Sequence, residues 1–141
     1  MSLEELAALE RVCSEAGSEG SLRRDQWDLL KSTFGARFEK AWRLVSEKRI
    51  KHYTFKPSGR TAWIAIGRDA EYQMLPNARY CSCDDFYFRI IAEGGGLCYH
   101  LVAQRLAEAL NFYEEVSEED EFFDSLIEEW RRQSSRSDPE N

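Results

Sequence analysis

Long apolar runs are missing from this 141-residue sequence. No stretch approaches the roughly 18 consecutive apolar residues that cross a bilayer as a helix. The N-terminal residues show neither the basic and apolar regions of a secretory signal nor the arginine-rich pattern of a transit peptide. We therefore expect no membrane association and a reducing compartment, where clustered cysteines are more often metal ligands than disulfides.

Histidine is scarce, with two residues in the whole chain, and the usual catalytic motifs are absent. There is no phosphate-binding glycine loop, no nucleophile elbow and no His-Glu-x-x-His pattern of a zinc protease. His52 lies in a basic segment without a neighbouring nucleophile or carboxylate, which is typical of a surface histidine. A hydrolytic site would lack a general base, so the sequence predicts a protein that is not an enzyme.

Cysteine is also rare, but three of the four cysteines stand in an informative pattern. Cys81, Cys83, Cys98 and His100 form Cys-x-Cys, fourteen residues, then Cys-x-His. Three thiolates and one imidazole are a full ligand set for tetrahedral zinc and leave no position for the water that a catalytic zinc holds. We predict one structural Zn²⁺ on these four residues; the alternative is a buried thiol cluster without metal. Cys13 lies on an apolar helix stripe and is predicted to be a core thiol.

Charge is distributed unevenly along a chain whose formal net charge is −7. Residues 37–68 carry nine basic side chains against two acidic ones, whereas residues 108–141 carry three against twelve. Affinity for nucleic acid comes largely from neutralising phosphates, so a chain this acidic is a poor nucleic-acid binder by itself. A solvated surface is the usual role of such a basic segment; contact with a phosphate backbone or an acidic partner is the alternative.

The periodicity of the apolar residues predicts an α+β fold. N-terminal helices over about 3–16, 22–34 and 36–48 are followed by a three-stranded antiparallel β-meander. Beyond the meander we expect a zinc-pinned helical half and a C-terminal acidic amphipathic helix. The predicted segments are 1–48, helical; 49–112, the meander with the zinc motif at 81–100; and 113–141, the acidic helix and a disordered tail.

Two details of the helical half are open at this level. Asp84 and Asp85 favour capping of a short helix, which breaks at three glycines, over a catalytic pair of carboxylates. The acidic helix, over about 117–132, has a large aromatic and aliphatic face. We expect this face to pack on the protein's own core, and an anchor in a partner's groove is the alternative.

The cysteine motif and its surroundings resemble a known family. Cys81-Ser82-Cys83 and Cys98-Tyr99-His100 match the SWIM-type zinc finger. Lys56-Pro57-Ser58-Gly59-Arg60, together with Tyr80, makes residues 22–112 similar to the SWIM-domain subunit of the Shu complex, the zinc finger SWIM domain-containing protein seven family. Asp84 stands where this family usually has proline, and Tyr99 stands where a basic residue is usual.

The resemblance implies a function that composition alone does not. The family's zinc ligands correspond to Cys81, Cys83, Cys98 and His100. We expect a nuclear, non-enzymatic adaptor that partners a RecA-like ATPase paralogue and supports recombinase filament assembly in homologous recombination repair. Weak DNA contact would be made through the complex. The alternative is a SWIM module that binds DNA directly through residues 37–68.

Overall fold

The computed structural model describes residues 2–78, 80–83 and 97–133. The helices of this part are α1 Ser2–Glu19, α2 Arg24–Phe34, α3 Ala36–Ser46, α4 Tyr99–Leu110 and α5 Phe123–Gln133. The strands are β1 Ile50–Lys56, β2 Thr61–Ile66, β3 Glu71–Leu75, β4 Tyr80–Cys81 and β5 Glu114–Glu119. Single 3-10 turns stand at Pro76–Ala78 and Asp120–Phe122. In these ranges every helix is too short or too polar to cross a bilayer. The predicted α+β class is confirmed.

The strands form one mixed sheet in the order β4-β3-β2-β1-β5. β1, β2 and β3 are the antiparallel meander that the sequence predicts, with Ile50 opposite Ala65 and Trp63 opposite Met74. β4 adds a short antiparallel edge strand, in which Cys81 lies opposite Met74. β5 pairs in parallel with β1 at the other edge.

Strand β5 corrects the prediction of a helix beginning at residue 117. Its pattern of acids interrupted by Val116 and Ser117 has no helical stripe, and it lies against the basic strand β1. The ammonium of Lys51 is 3.9 Å from Glu114 Oε1. Opposite charges on paired strands stabilise the pairing, so part of the charge imbalance along the sequence is neutralised inside the fold.

Gly17 does not end the first helix, which the sequence predicts over about 3–16. Helix α1 continues through it to Glu19. A Cβ at this position would stand 3.4 Å from the carbonyl oxygen of Ala109, in α4. This is an ordinary contact distance, so Gly17 lies where α1 and α4 pack against each other and does not end the helix.

Each face of the sheet has its own apolar core. Helices α1 to α4 cover one face, with Phe38, Leu44, Tyr72 and Leu106 among the fully buried side chains. Helix α5 covers the other face above β1 and β2. The sheet is therefore buried on both faces, and β4, which pairs with β3 at its edge, ends at the first cysteine of the motif.

Helix α5 packs on the protein's own core, as expected. Trp130 is 1% exposed, its ring meets that of Tyr53 edge-on with centroids 5.1 Å apart, and its indole N–H donates to Glu71 Oε1 at 2.9 Å. Phe122 is the exception on the predicted apolar face. It lies in the 3-10 turn before the helix and is 44% exposed.

The β1–β2 turn holds the start of α5. The backbone N–H and the hydroxyl of Ser58 donate to the two carboxylate oxygens of Asp120, at 3.0 and 2.8 Å. The guanidinium of Arg60 lies 3.7 Å from the ring centroid of Phe123. Part of the segment from Lys56 to Arg60 that carries the family resemblance is therefore used to join the meander to the C-terminal helix.

Several predictions lie outside the described residues. They are the short helix capped by Asp84 and Asp85, the three glycines Gly94, Gly95 and Gly96, and the disordered end of the chain. The division into segments 1–48, 49–112 and 113–141 stays a prediction.

Candidate metal centre

The four predicted ligands are delivered by a strand end and a helix start. Cys81 closes β4, and Cys83 follows it two residues later. Cys98 occupies the N-cap of α4 with an extended backbone, and His100 lies in the first helical turn. The two halves of the motif therefore come from a strand at the sheet edge and from a helix, and the meander brings β4 to the start of that helix.

The four side chains meet at one point. The three Sγ atoms and a ring nitrogen of His100 all lie within 4.8 Å of one another. Zinc–sulfur bonds of about 2.3 Å in a tetrahedron place sulfurs about 3.8 Å apart, so the cluster lies within roughly an ångström of the bound geometry. The sequence pattern thus corresponds to a real spatial cluster.

The chemistry of the cluster fits zinc. Cys81, Cys83, Cys98 and His100 are each at most 2% exposed. Among the described residues, neither ring nitrogen of His100 has a hydrogen-bond partner. A buried polar nitrogen without a partner costs about 1–3 kcal/mol, and a metal bond removes that cost for one of the two. Zinc on these ligands would tie β4 to the start of α4.

The protonation of the thiols also depends on a cation. Burial raises the pKa of Cys81 and of Cys98 well above the usual value of a thiol. Hydrogen bonds from those two thiols lower the pKa of Cys83. The three sulfurs consequently share fewer than three negative charges without a metal. A Zn²⁺ held by Cys81, Cys83 and Cys98 would keep all three as thiolates, because its positive charge would compensate the charge that burial disfavours.

Ser82 fixes the turn between the first two cysteines. Its backbone N–H donates to the carbonyl of Gln73 at 3.0 Å, and its hydroxyl accepts from the Gln73 N–H at 3.1 Å. These bonds continue the β3–β4 pairing one residue beyond Cys81. They hold Cys81 and Cys83 on the same side of the strand end, where both sulfurs reach one ion.

An ion pair from the N-terminal helices fixes the second half of the site. Arg37 donates to the carbonyl of Leu97 at 2.7 Å and binds the carboxylate of Glu5 through two nitrogens. The Leu97 N–H in turn donates to Glu5 at 3.4 Å. Leu97 precedes Cys98, so this pair, with side chains 16% and 17% exposed, orients the residue that leads into the third ligand.

We predict that Arg37→Ala lowers the zinc affinity by about 10–100-fold, the usual effect of removing a group that orients a ligand. Competition with a chromophoric chelator measures it. The matched control is Lys31→Ala, which removes the 2.7 Å pair with Glu39 between α2 and α3 and leaves the Arg37 contact with Leu97 in place. Native affinity in the Arg37 variant would show that the ion pair serves only to dock the helices.

Aromatic rings surround the imidazole. The His100 ring lies 4.8 Å from that of Tyr72 and 4.2 Å from that of Tyr99. The ammonium of Lys40 is 5.4 Å from the Tyr99 centroid. Tyr99 is 3% exposed, so the tyrosine that departs from the family's usual basic residue is a buried side chain of the site, and a cation reaches it from α3.

The structure separates the other sequence candidates from the centre. Cys13 is a buried core thiol, as predicted, and burial raises its pKa to about 12. His52 is not a free surface histidine, because β5 brings Glu115 Oε1 within 2.9 Å of its Nδ1. Its ring also lies 4.4 Å from that of Trp63. Sequence alone could not place Glu115 there, since the contact depends on the parallel pairing of β1 with β5.

Comparison with known proteins agrees with the centre. The mouse zinc finger SWIM domain-containing protein 7 is 30% identical over 106 residues, which are 73% of this chain and 69% of that protein. The chain belongs to this family. A Dictyostelium discoideum homolog of the same name is 30% identical over 86 residues, 60% of this chain and 55% of the homolog's length. The chain thus spans little more than half of that relative.

Two further comparisons found nothing. No family model matches the chain. No solved structure matches it either. Membership in the zinc finger SWIM domain-containing protein 7 family, together with the Cys3His cluster, makes this a zinc finger protein of the SWIM type.

Some residues of the centre are not found by reading the sequence. Contacts between residues far apart in the chain give Arg37, Glu5 and Gln73 their roles. In the sequence, Arg37 is only one of the nine cations of the basic segment 37–68. Ser82 could have been noticed, because a residue between two ligands must turn the backbone in a defined way. Nothing local marks the others.

Proposed function

We propose that this chain is a non-enzymatic adaptor subunit of a Shu-type complex. It partners a RecA-like ATPase paralogue and supports assembly of a recombinase filament in homologous recombination repair, in the nucleus. The support comes from membership in the zinc finger SWIM domain-containing protein 7 family and from the resemblance of residues 22–112 to the SWIM-domain subunit of the Shu complex.

The closed metal centre is the observation that carries the non-enzymatic part of the proposal. Four protein ligands fill a tetrahedral zinc, and all four are buried. A catalytic zinc keeps one position for water or substrate. The arrangement therefore favours an ion that holds the surface of β4 and α4 in place for a partner, instead of one that performs chemistry.

Internal contacts of the basic segment favour the adaptor over a module that binds DNA directly. Many of the cations in residues 37–68 contact acidic or aromatic groups of the chain itself. Arg37, Arg49, Lys51 and Arg60 pair with Glu5, Glu47, Glu114 and Asp120, and Lys40 and Lys48 lie over the rings of Tyr99 and Phe112. Cations used in this way contribute less to neutralising phosphates.

A salt titration separates the two functions. The logarithm of a DNA-binding constant falls with the logarithm of salt concentration by about 0.9 per phosphate neutralised. We expect the isolated chain to bind a duplex or single strand weakly, with a slope no steeper than about −2. Tight binding with a slope near −5 or steeper would support direct DNA binding through residues 37–68 and contradict the adaptor role.

Identification of the partner tests the adaptor role directly. The chain, tagged and purified from its own cells, should bring a RecA-like ATPase in near-equal amount. A His100→Ala chain produced at the same level should bring much less, because loss of zinc disorders the start of α4. Purification of the native chain without any such ATPase would contradict the proposal.

A further inference from the structure

An apolar groove lies where the ends of three helices meet, away from the metal centre. Its volume is ≈ 500 Å³. The side chains that define this groove, called here the tryptophan groove, are Leu22, Trp27, Trp42, Val45, Leu110 and Phe112. A volume of this size is in the range of sites that bind small ligands or a few side chains of a peptide.

Aromatic side chains give the groove a rigid wall. Trp27 and Trp42 meet edge-on, with ring centroids 5.4 Å apart. The ring of Phe38 also meets that of Trp27 edge-on, with centroids 4.6 Å apart. Phe112 is 42% exposed at the end of α4. Tryptophan in a preformed apolar site is the residue type that most often dominates binding between proteins, because it buries a large area with little loss of side-chain freedom.

The groove offers hydrogen-bond donors without acceptors. Neither indole N–H, of Trp27 or of Trp42, donates to a described residue, and neither atom is fully buried. The ammonium of Lys48 lies 5.1 Å above the Phe112 ring. Within the described part of the chain, this lysine pairs with no carboxylate. A ligand that supplies carboxylates would complement all three donors.

The C-terminal ends of α3 and α4 do not cancel the preference of the groove for a ligand with carboxylates. A helix C-terminus carries partial negative charge on its last carbonyls. In α3, however, the N–H groups of Lys48 and Arg49 donate to the carbonyls of Val45 and Leu44. In α4, the Phe112 N–H donates to the Ala107 carbonyl. These hydrogen bonds occupy several of the terminal carbonyls, and Lys48 places a full positive charge 5.1 Å from the centroid of the exposed Phe112 ring.

We propose that the tryptophan groove binds a short acidic and apolar peptide segment of a partner protein. An aromatic or large aliphatic side chain of the peptide lies against Trp27 and Trp42, and an adjacent carboxylate meets Lys48. This names a contact face for the adaptor, and it rests on that proposed role. It does not depend on the metal centre, from which the groove is separate.

The test uses the full zinc-loaded chain and two synthetic peptides. One has the sequence Asp-Asp-Phe-Asp-Asp-Leu, and the other has lysine in place of each aspartate. The readout is the indole N–H signals in an NMR spectrum, assigned by single Trp→Phe variants. We expect the acidic peptide to shift the signals of Trp27 and Trp42 saturably, with Kd of about 10–300 µM, and to leave those of Trp63 and Trp130 in place.

Matched variants identify the groups that bind. Phe112→Ser and Lys48→Glu should each weaken binding of the acidic peptide about tenfold or more. Phe122→Ser changes a ring of similar exposure, 44% against 42% for Phe112, outside the groove. Lys56→Glu reverses a charge outside the groove. Both variants should bind the acidic peptide like the native chain. Zinc content and melting temperature, measured on every variant, show that the fold is retained.

Three outcomes would overturn the inference. They are no shift at Trp27 and Trp42, an equal shift with the lysine peptide, and shifts that appear on concentrating the chain alone, which would make a second copy the occupant. The result is separable from the adaptor proposal. Peptide binding without a co-purified ATPase would contradict only the adaptor role, and an ATPase complex insensitive to Phe112→Ser and Lys48→Glu would contradict only the groove.

Discussion

A chain carrying His100→Ala is expected to purify without zinc and to melt at least about 10 °C below the native protein. The substitution removes one of four ligands that connect β4 to α4, and it leaves three thiols buried at 2% exposure or less. Metal-binding energy is folding energy where the unfolded chain has no preformed site. Elemental analysis should give one zinc per native chain and none in the variant, and calorimetry gives the melting temperature.

Cys13→Ala is the control for that experiment. Cys13 is as deeply buried as the ligand cysteines but lies outside the cluster, where its thiol faces the Arg105 carbonyl at 3.7 Å. It should keep one zinc and lose about 1–2 kcal/mol of stability through the small cavity. Native zinc content and melting in His100→Ala would show that the cluster does not hold the ion or that the ion is peripheral to folding.

Trp130→Ala is expected to lower the free energy of unfolding by about 3–5 kcal/mol, the usual cost of deleting a large buried ring. Trp130 is 1% exposed and carries the contact between α5 and the sheet, with its ring on Tyr53 and its N–H on Glu71. For a chain of this length the change corresponds to a fall in melting temperature of roughly 10–20 °C. Zinc should remain bound in the folded variant, because the metal lies on the other side of the sheet.

Two further variants define what Trp130 contributes. Trp130→Phe keeps most of the ring but loses the hydrogen bond to Glu71, and it should cost about 1–2 kcal/mol. Phe122→Ala removes a ring that is 44% exposed in the turn before the helix, and it should cost less than about 1 kcal/mol. Equal effects of Trp130→Ala and Phe122→Ala on denaturant unfolding would contradict the packing of α5 on the sheet.

Local patterns were sufficient for the elements that depend on neighbouring residues. The helical stripe from Phe38 to Val45 and the strand alternation around the Pro57–Gly59 turn predict α3, β1 and β2, because each pattern repeats with the period of its own backbone geometry. The zinc motif is local in the same sense, since each pair of ligands is two residues apart. The sequence also predicts that the two pairs bind the same ion, because three cysteines and one histidine are together a complete ligand set for tetrahedral zinc.

Local patterns did not predict strand β5 in the acidic C-terminal segment, because this strand depends on long-range pairing with β1. A run of glutamates is equally compatible with a polar helix face and with an edge strand. Only the position of basic β1 beside residues 114–119 selects the strand. The same pairing places Glu115 beside His52, which the sequence alone predicts to be a surface histidine.

The sequence by itself determined the class of the fold, the ligands of the metal centre and the family. These follow from periodicity, donor chemistry and short motifs, all of which are written in neighbouring residues. The tertiary structure decided what surrounds and uses them: Arg37 and Glu5 orient the approach to Cys98, α5 closes the second face of the sheet, and the basic segment is largely occupied inside the protein. The reason is that side-chain contacts between distant segments depend on how the sheet and helices are arranged, and no local pattern encodes that arrangement.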